Sequence, residues 1–163
     1  MHSLEYHPFK PIVFDDSRIL ILGTFPSFKS IENSFYYGHP QNQFWKLLSA
    51  VFGEEEPRNI DEKIALLKRH KIALWDMVRG CSRKNSLDSS LKNIEVNDIE
   101  GLLKKYPSIE LVCSTSKTAQ KLYQKHFSHL RVKTAYLPSP SPAYKAMGFE
   151  EKLKRWKSVL ATF

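Results

Sequence analysis

Arg18-Ile19-Leu20-Ile21-Leu22-Gly23-Thr24-Phe25-Pro26-Ser27 is the stretch from which the fold can be read. Its first part is a short β-branched and leucine-rich run that closes on Gly23, the pattern of a buried strand opening into a loop. Further runs of this kind, Ile72 to Met77, Ile109 to Cys113 and Val132 to Leu137, read as three more strands. Between them the apolar spacing turns helical. Phe44, Leu47, Leu48, Val51 and Phe52 recur along a helix from about Gln43 to Phe52. After the break at Pro57 to Ile60, a second helix starts at Asp61, with Ile64, Leu66 and Leu67 on one side. Three more are expected: one from Asn97, its cap, to Lys105, one from the Ser114-Thr115-Ser116 cluster to Phe127, and one from Phe149 to Leu160. Arg79 to Asn93 reads as a polar loop.

Strands alternating with helices imply right-handed crossovers and a three-layer α/β/α domain around a central four-stranded parallel sheet. At 163 residues, 42% of them hydrophobic and 12% aromatic, the chain suits one core. We therefore expect a single domain over 1–163, with residues 1–15 as an N-terminal arm. Ligands of such sheets bind outside the carboxyl ends of the strands, so the loops after Leu22, Met77, Cys113 and Leu137 should share one crevice.

Composition narrows the partner. A net charge of +8 and a pI near 9.5 favour a polyanion, because Lys and Arg contacts to phosphates release counterions. The competing reading is that the basic residues are solvated helix faces. The longest apolar runs fall far short of the roughly 20 residues that cross a bilayer, and Met1 to Phe9 has no apolar core of a signal peptide. Cys81 and Cys113 stand alone without a CxxC, which suits free thiols in a reducing cytosol. A cytoplasmic location, on the nucleoid in a prokaryote, is the expectation.

The first loop carries neither GxGxxG nor a P-loop, so nucleotide-cofactor binding has no motif support. It runs on into Tyr36-Tyr37-Gly38-His39-Pro40-Gln41-Asn42-Gln43-Phe44-Trp45, an unusual composition for a mere connection. Loops held by a rigid scaffold are where binding and catalysis concentrate. His126 and His129 offer two metal ligands without a third nearby, and Ser27, His39 and Asp76 lack the GxSxG elbow of a hydrolase triad.

Five pieces taken together carry a resemblance: Gly23-Thr24-Phe25-Pro26-Ser27, Tyr37 to Trp45, Leu74-Trp75-Asp76, Ser86-Leu87-Asp88-Ser89-Ser90 and Leu137-Pro138-Ser139-Pro140-Ser141-Pro142. In order and spacing the chain resembles the uracil-DNA glycosylase superfamily, and within it the hypoxanthine-DNA (deoxyinosine) glycosylase branch. The resemblance implies a monomeric, monofunctional enzyme that flips a deaminated base out of DNA and hydrolyses its N-glycosidic bond without metal or cofactor. Deaminated bases pair poorly, so extruding them costs less than the few kcal/mol of a sound pair.

Related mismatch-specific enzymes have Asn or Asp two residues after the Gly, where this chain has Phe25. The resemblance then assigns catalysis to Asn42, through a side-chain carbonyl that orients water or the base. It places Thr24, Phe25, Tyr37, His39 and Asp76 around the base. Ser27, Ser30, Ser139, Pro140, Ser141 and Lys145 are expected on DNA, with Tyr144 as the wedge that fills the vacated stack. Each position has a structural reading as well. Asn42 precedes a helix and suits a cap, Tyr37 suits core packing, His39 suits a backbone-bonded turn, and Asp76 and Ser30 suit turn caps. Asp88-Ser89-Ser90 belongs to the branch's signature without an assigned mechanism beyond an Asx-type turn. Phe25 leaves a second function open, that of a catalytically weak or inactive nucleic-acid-binding domain of the same fold.

Overall fold

A computed structural model describes residues 4–163. Among the described residues there are seven strands, six α-helices and one short 3-10 helix at Asp88–Ser90. The central sheet contains β2 (Ile19–Gly23), β3 (Ile72–Asp76), β6 (Leu111–Ser114) and β7 (Lys133–Tyr136), all parallel, in the order β3-β2-β6-β7. The strand period of two divides the core cleanly. Ile19 and Ile21 enter one apolar cluster, joined by helices α2 (Phe44–Val51), α3 (Ile60–Arg69) and α6 (Phe149–Leu160). Leu20 and Leu22 enter the other, covered by α4 (Ile99–Lys105) and α5 (Lys117–Phe127). These are the three layers expected from the sequence. The register pairs Gly23 with Asp76, Leu22 with Ser114 and Ser114 with Tyr136, so all four carboxyl ends lie at one edge.

A second sheet departs from the expected layout. The segment expected as an arm holds β1 (Leu4–Tyr6), which pairs antiparallel with β4 (Val78–Ser82), and β4 pairs with β5 (Lys92–Val96). Residues 1–3 of the expected arm lie outside the described residues. The polar stretch from Arg79 to Asn93 is thus part strand. Backbone hydrogen bonds hold it, and β5 is mostly exposed, so no apolar alternation announces it. Arg83, buried beneath this sheet, ties it to the first loop. Its Nε and Nη2 donate to the Glu5 carboxylate at 3.0 and 3.1 Å, and Nη1 donates to the Pro26 carbonyl at 2.6 Å.

Two local corrections bear on the site. Ser27 caps a short helix α1 (Phe28–Glu32), accepting the Ser30 N–H at 3.1 Å. The cap of α4 is Asp98, which accepts the Gly101 N–H at 2.9 Å. Asn97, expected there, is buried instead and donates through Nδ2 to the Asp76 carbonyl at 2.8 Å, bracing the end of β3.

Candidate active site

A cavity of about 400 Å³ opens at the carboxyl ends of the parallel strands. Gly23, Asp76 and Tyr136 contribute from strand ends, Thr24 to Ser27 from the first loop, Tyr37 and Asn42 from the turn before α2, and Asp88 from the loop before β5. Ser139, Pro140, Ser141 and Tyr144 complete one side.

Gly23 sets the depth of the floor. A Cβ there would lie 2.5 Å from Asp76 Oδ1 and 3.0 Å from the Tyr37 hydroxyl, so only glycine lets both reach the cavity. Asp76 is nearly buried, and His7 Nε2 lies 2.7 Å from its Oδ2. The imidazole also has its Nδ1 at 2.7 Å from the Phe9 carbonyl, and it packs against the rings of Phe9, Phe25 and Tyr36. The N-terminal segment therefore supplies the partner of a carboxylate 69 positions away. Nothing local in the sequence signals that pairing.

Tyr37 adopts a left-handed backbone, φ 53°, and its ring stacks on Phe44 at 3.9 Å with the planes 4° apart. Its hydroxyl is buried and has no hydrogen-bond partner among the described residues. Burial, with the Asp76 charge second, holds its ionisation far above the ordinary tyrosine range. The neighbouring Thr115 hydroxyl, which would act in the opposite direction, donates to the Leu22 carbonyl at 3.3 Å. Tyr36 is core: its hydroxyl donates to the Lys10 carbonyl, and its backbone carbonyl accepts from Trp45 Nε1.

Asn42 accepts the Phe44 N–H through Oδ1 at 2.8 Å. That bond closes the turn into α2, whose formal cap position, Gln43, makes no side-chain capping bond. The carbonyl end of Asn42 is thus anchored, and the amide NH₂ is the end left unbonded among the described residues. The next residue docks this turn on the Ser139–Tyr144 loop. Gln43 N–H donates to the Pro140 carbonyl at 2.9 Å. Lys152, fully buried on α6, donates to Gln43 Oε1 at 2.8 Å and to the Tyr144 carbonyl at 3.2 Å, with its ammonium 5.3 Å from the centre of the Tyr144 ring. Burial depresses the Lys152 pKa.

Of the residues expected around the base, Thr24, Phe25, Tyr37, Asn42 and Asp76 line the cavity, and His39 does not. Its Nδ1 accepts the Gln41 N–H at 3.0 Å, the backbone-bonded turn reading. Phe25 lies between His7 and Arg83, whose guanidinium is 4.8 Å from the ring centre. Among the residues expected on DNA, Ser30 is buried at the cavity wall and its hydroxyl accepts the Gly38 N–H at 3.0 Å, which braces the Tyr37 turn. Pro140 is buried too, and contributes its carbonyl to Gln43. Ser139 and Ser141 accept the N–H groups of Ser141 and Ala143, which makes the loop a pair of linked turns. Lys145 is exposed beyond the cavity, next to Tyr144.

Sequence reasoning missed the wall opposite. Asp88 Oδ2 accepts the Thr24 hydroxyl at 2.9 Å, and Thr24 Oγ1 lies 2.7 Å from the Ser116 hydroxyl. Burial, the largest influence, raises the Asp88 pKa, reinforced by Asp76 and opposed by the hydroxyls that face it, Thr24 first and then Ser116 and Thr118. Asp88 stood in a quoted motif, and Ser116 read only as a helix cap, which it also is, accepting the Ala119 N–H at 2.9 Å. Cys81 and Cys113 are buried free thiols outside the cavity, and burial pushes Cys113 up to about 12. Among the described residues, no three His, Cys, Asp or Glu side chains are grouped to hold a metal ion.

Known proteins resemble this chain in sequence and fold. The family model described as "Uracil DNA glycosylase superfamily" matches residues 11–161. A hypoxanthine DNA glycosylase of Methanosarcina acetivorans is 33% identical over 152 residues, covering 93% of this chain and 95% of the relative. One from Methanosarcina barkeri is 32% identical over 146 residues, covering 89% and 81%. A solution NMR structure of a Methanosarcina acetivorans protein superposes with a TM-score of 0.85 at 31% identity, over 98% of each chain.

Proposed function

The chain belongs to the uracil DNA glycosylase superfamily, and we propose that it is a monofunctional, monomeric and cytoplasmic DNA glycosylase that excises hypoxanthine first and uracil second. The observation that carries this reading is the shared wall of the cavity, where Tyr37, backed by Phe44, stands beside Asn42 with its carbonyl fixed. A flipped base needs a flat apolar surface and a polar group held in place, and these two supply both.

In the reaction the bond between C1′ and the base nitrogen breaks, and its electron pair leaves with the base. The sugar gains oxocarbenium character, water adds to C1′, and the proton it loses ends on the departed base. The step is redox-neutral and needs no cofactor. Asn42 is neutral and is no effective base near pH 7, so its contribution is positioning. The second lone pair of its oxygen and its NH₂ group orient water and the departing base. Phe25 gives the first loop an apolar wall where related enzymes hold a polar side chain. Asp76, paired with His7, adds negative charge near the developing cation. At the rim of the cavity Ser139 and Ser141, with Lys145 beyond it, contact the strand and Tyr144 fills the vacated stack, with the +8 charge supplying salt-sensitive affinity.

The test uses oligonucleotides carrying one hypoxanthine, uracil, xanthine or mismatched thymine, with alkali to cleave the abasic product. Release of hypoxanthine, and of uracil more slowly, is expected. Absence of cleavage at every base, alongside salt-sensitive binding to undamaged DNA, would identify a binding domain instead.

A further inference from the structure

The cavity holds two carboxylates in different circumstances. Asp76 is matched by His7 at 2.7 Å. Asp88 pairs with no cation among the described residues; Thr24 donates to its Oδ2 at 2.9 Å, and the Ser116 and Thr118 hydroxyls lie nearby. Because the Thr24 proton points at Asp88, the 2.7 Å contact between Thr24 and Ser116 has Ser116 as donor. The Ser116 oxygen accepts the Ala119 N–H in turn. Hydrogen bonds therefore run in one direction, from the start of α5 through two hydroxyls to Asp88, and they fix the carboxylate at the cavity wall. An ionised carboxylate accepts at about four lone-pair sites, and Thr24 occupies one.

We propose that Asp88 is the specificity residue that reads the N–H created when a base is deaminated. Deamination turns adenine into hypoxanthine and cytosine into uracil. In each case an amine becomes a carbonyl and the adjacent ring nitrogen, formerly a bare lone pair, gains a hydrogen. A carboxylate accepts from that N–H, and it faces lone pair to lone pair when the unchanged base enters. Sites built around one substrate N–H reject the analogue lacking it by large factors, because the buried acceptor is left unmatched. Guanine shares the N–H, and its exclusion rests on the cost of breaking a sound pair. The inference depends on the glycosylase reading of this cavity and adds the class of base edge it selects.

Single-turnover release of hypoxanthine and of unsubstituted purine from single-stranded oligonucleotides tests it. Purine carries the lone pair at the equivalent nitrogen and is smaller than hypoxanthine, so it fits, and single strands remove pairing from the comparison. The wild type should release hypoxanthine at least about a hundredfold faster than purine. In Asp88→Asn and Asp88→Ala that ratio should fall by about tenfold or more. Change in the ratio cancels leaving-group chemistry and any loss of folded protein, and melting curves of both variants provide the control. A ratio unchanged in both variants, or a wild-type ratio near one, overturns the assignment. A wild type that releases hypoxanthine while the variants keep its ratio removes only the role of Asp88. A wild type that releases no damaged base overturns the glycosylase reading as well.

Discussion

Asn42 Oδ1 accepts the backbone N–H of Phe44 at 2.8 Å, so the cap and the proposed catalyst are one side chain in one conformation. The bond fixes the amide and leaves NH₂ for the cavity, and the structural role thereby prepares the chemical one. Removing the side chain removes both.

The floor of the site predicts the effect of a single methyl group. In Gly23→Ala the new Cβ meets Asp76 Oδ1 at 2.5 Å and the Tyr37 hydroxyl at 3.0 Å, and neither group is free to move. Asp76 is tied to His7, and Tyr37 is stacked on Phe44. Thermal unfolding should show a loss of about 1–3 kcal/mol. A melting temperature equal to the wild type would contradict this packing.

His7 has a consequence for stability that its position in the chain does not suggest. His7→Ala leaves the buried Asp76 carboxylate without this hydrogen-bond partner, a loss on the order of 1–3 kcal/mol. Adding Asp76→Asn removes the stranded charge and should recover part of the loss. Denaturant melts of the two variants decide it. If His7→Ala unfolds at the wild-type midpoint, the N-terminal segment is no part of the site.

Asp88 predicts a pH dependence. Burial raises its folded pKa above the ordinary value of 3.8, so the folded protein holds this proton more tightly than the unfolded chain. Stability from the group is complete below the unfolded value and is lost as pH rises through the folded one. Asp88→Asn abolishes that loss. Its melting temperature should match the wild type near the acid end and exceed it at neutral pH; the opposite trend would mean that the ionised carboxylate is stabilised in the fold.

Tyr144 is the proposed wedge, held by Lys152 through its carbonyl and its ring. Tyr144→Ala should slow excision from duplexes more than from single strands, because only the duplex leaves a gap in the stack. Lys152→Met should act in the same direction by loosening the loop. Equal losses on both substrates would remove the wedge role.

The layers were legible because Ile19 to Leu22 alternate strictly between two helical faces, and period-two burial leaves its mark directly in composition. That Asn42, Tyr37, Asp76 and the Ser139–Tyr144 loop would share one crevice was legible through motifs. The second sheet was not, since β5 is held by backbone bonds and its side chains face solvent. His7 and Arg83 were invisible for another reason: their partners, Asp76 and Glu5, lie 69 and 78 positions away, and no local pattern encodes such a pairing. His39 misled because a histidine between Gly and Pro suits a pocket and a turn equally, and only the 3.0 Å bond from Gln41 separates them.

On the proposed mechanism the reaction is carried by the turn before α2 and not by the first loop. The most direct measurement is the single-turnover rate of Asn42→Ala on a hypoxanthine-containing oligonucleotide, taken with its melting curve. The account predicts loss of most excision together with a stability change of about 1 kcal/mol, the ordinary cost of a cap. Excision at the wild-type rate, with only the stability loss, would show that Asn42 is a cap alone.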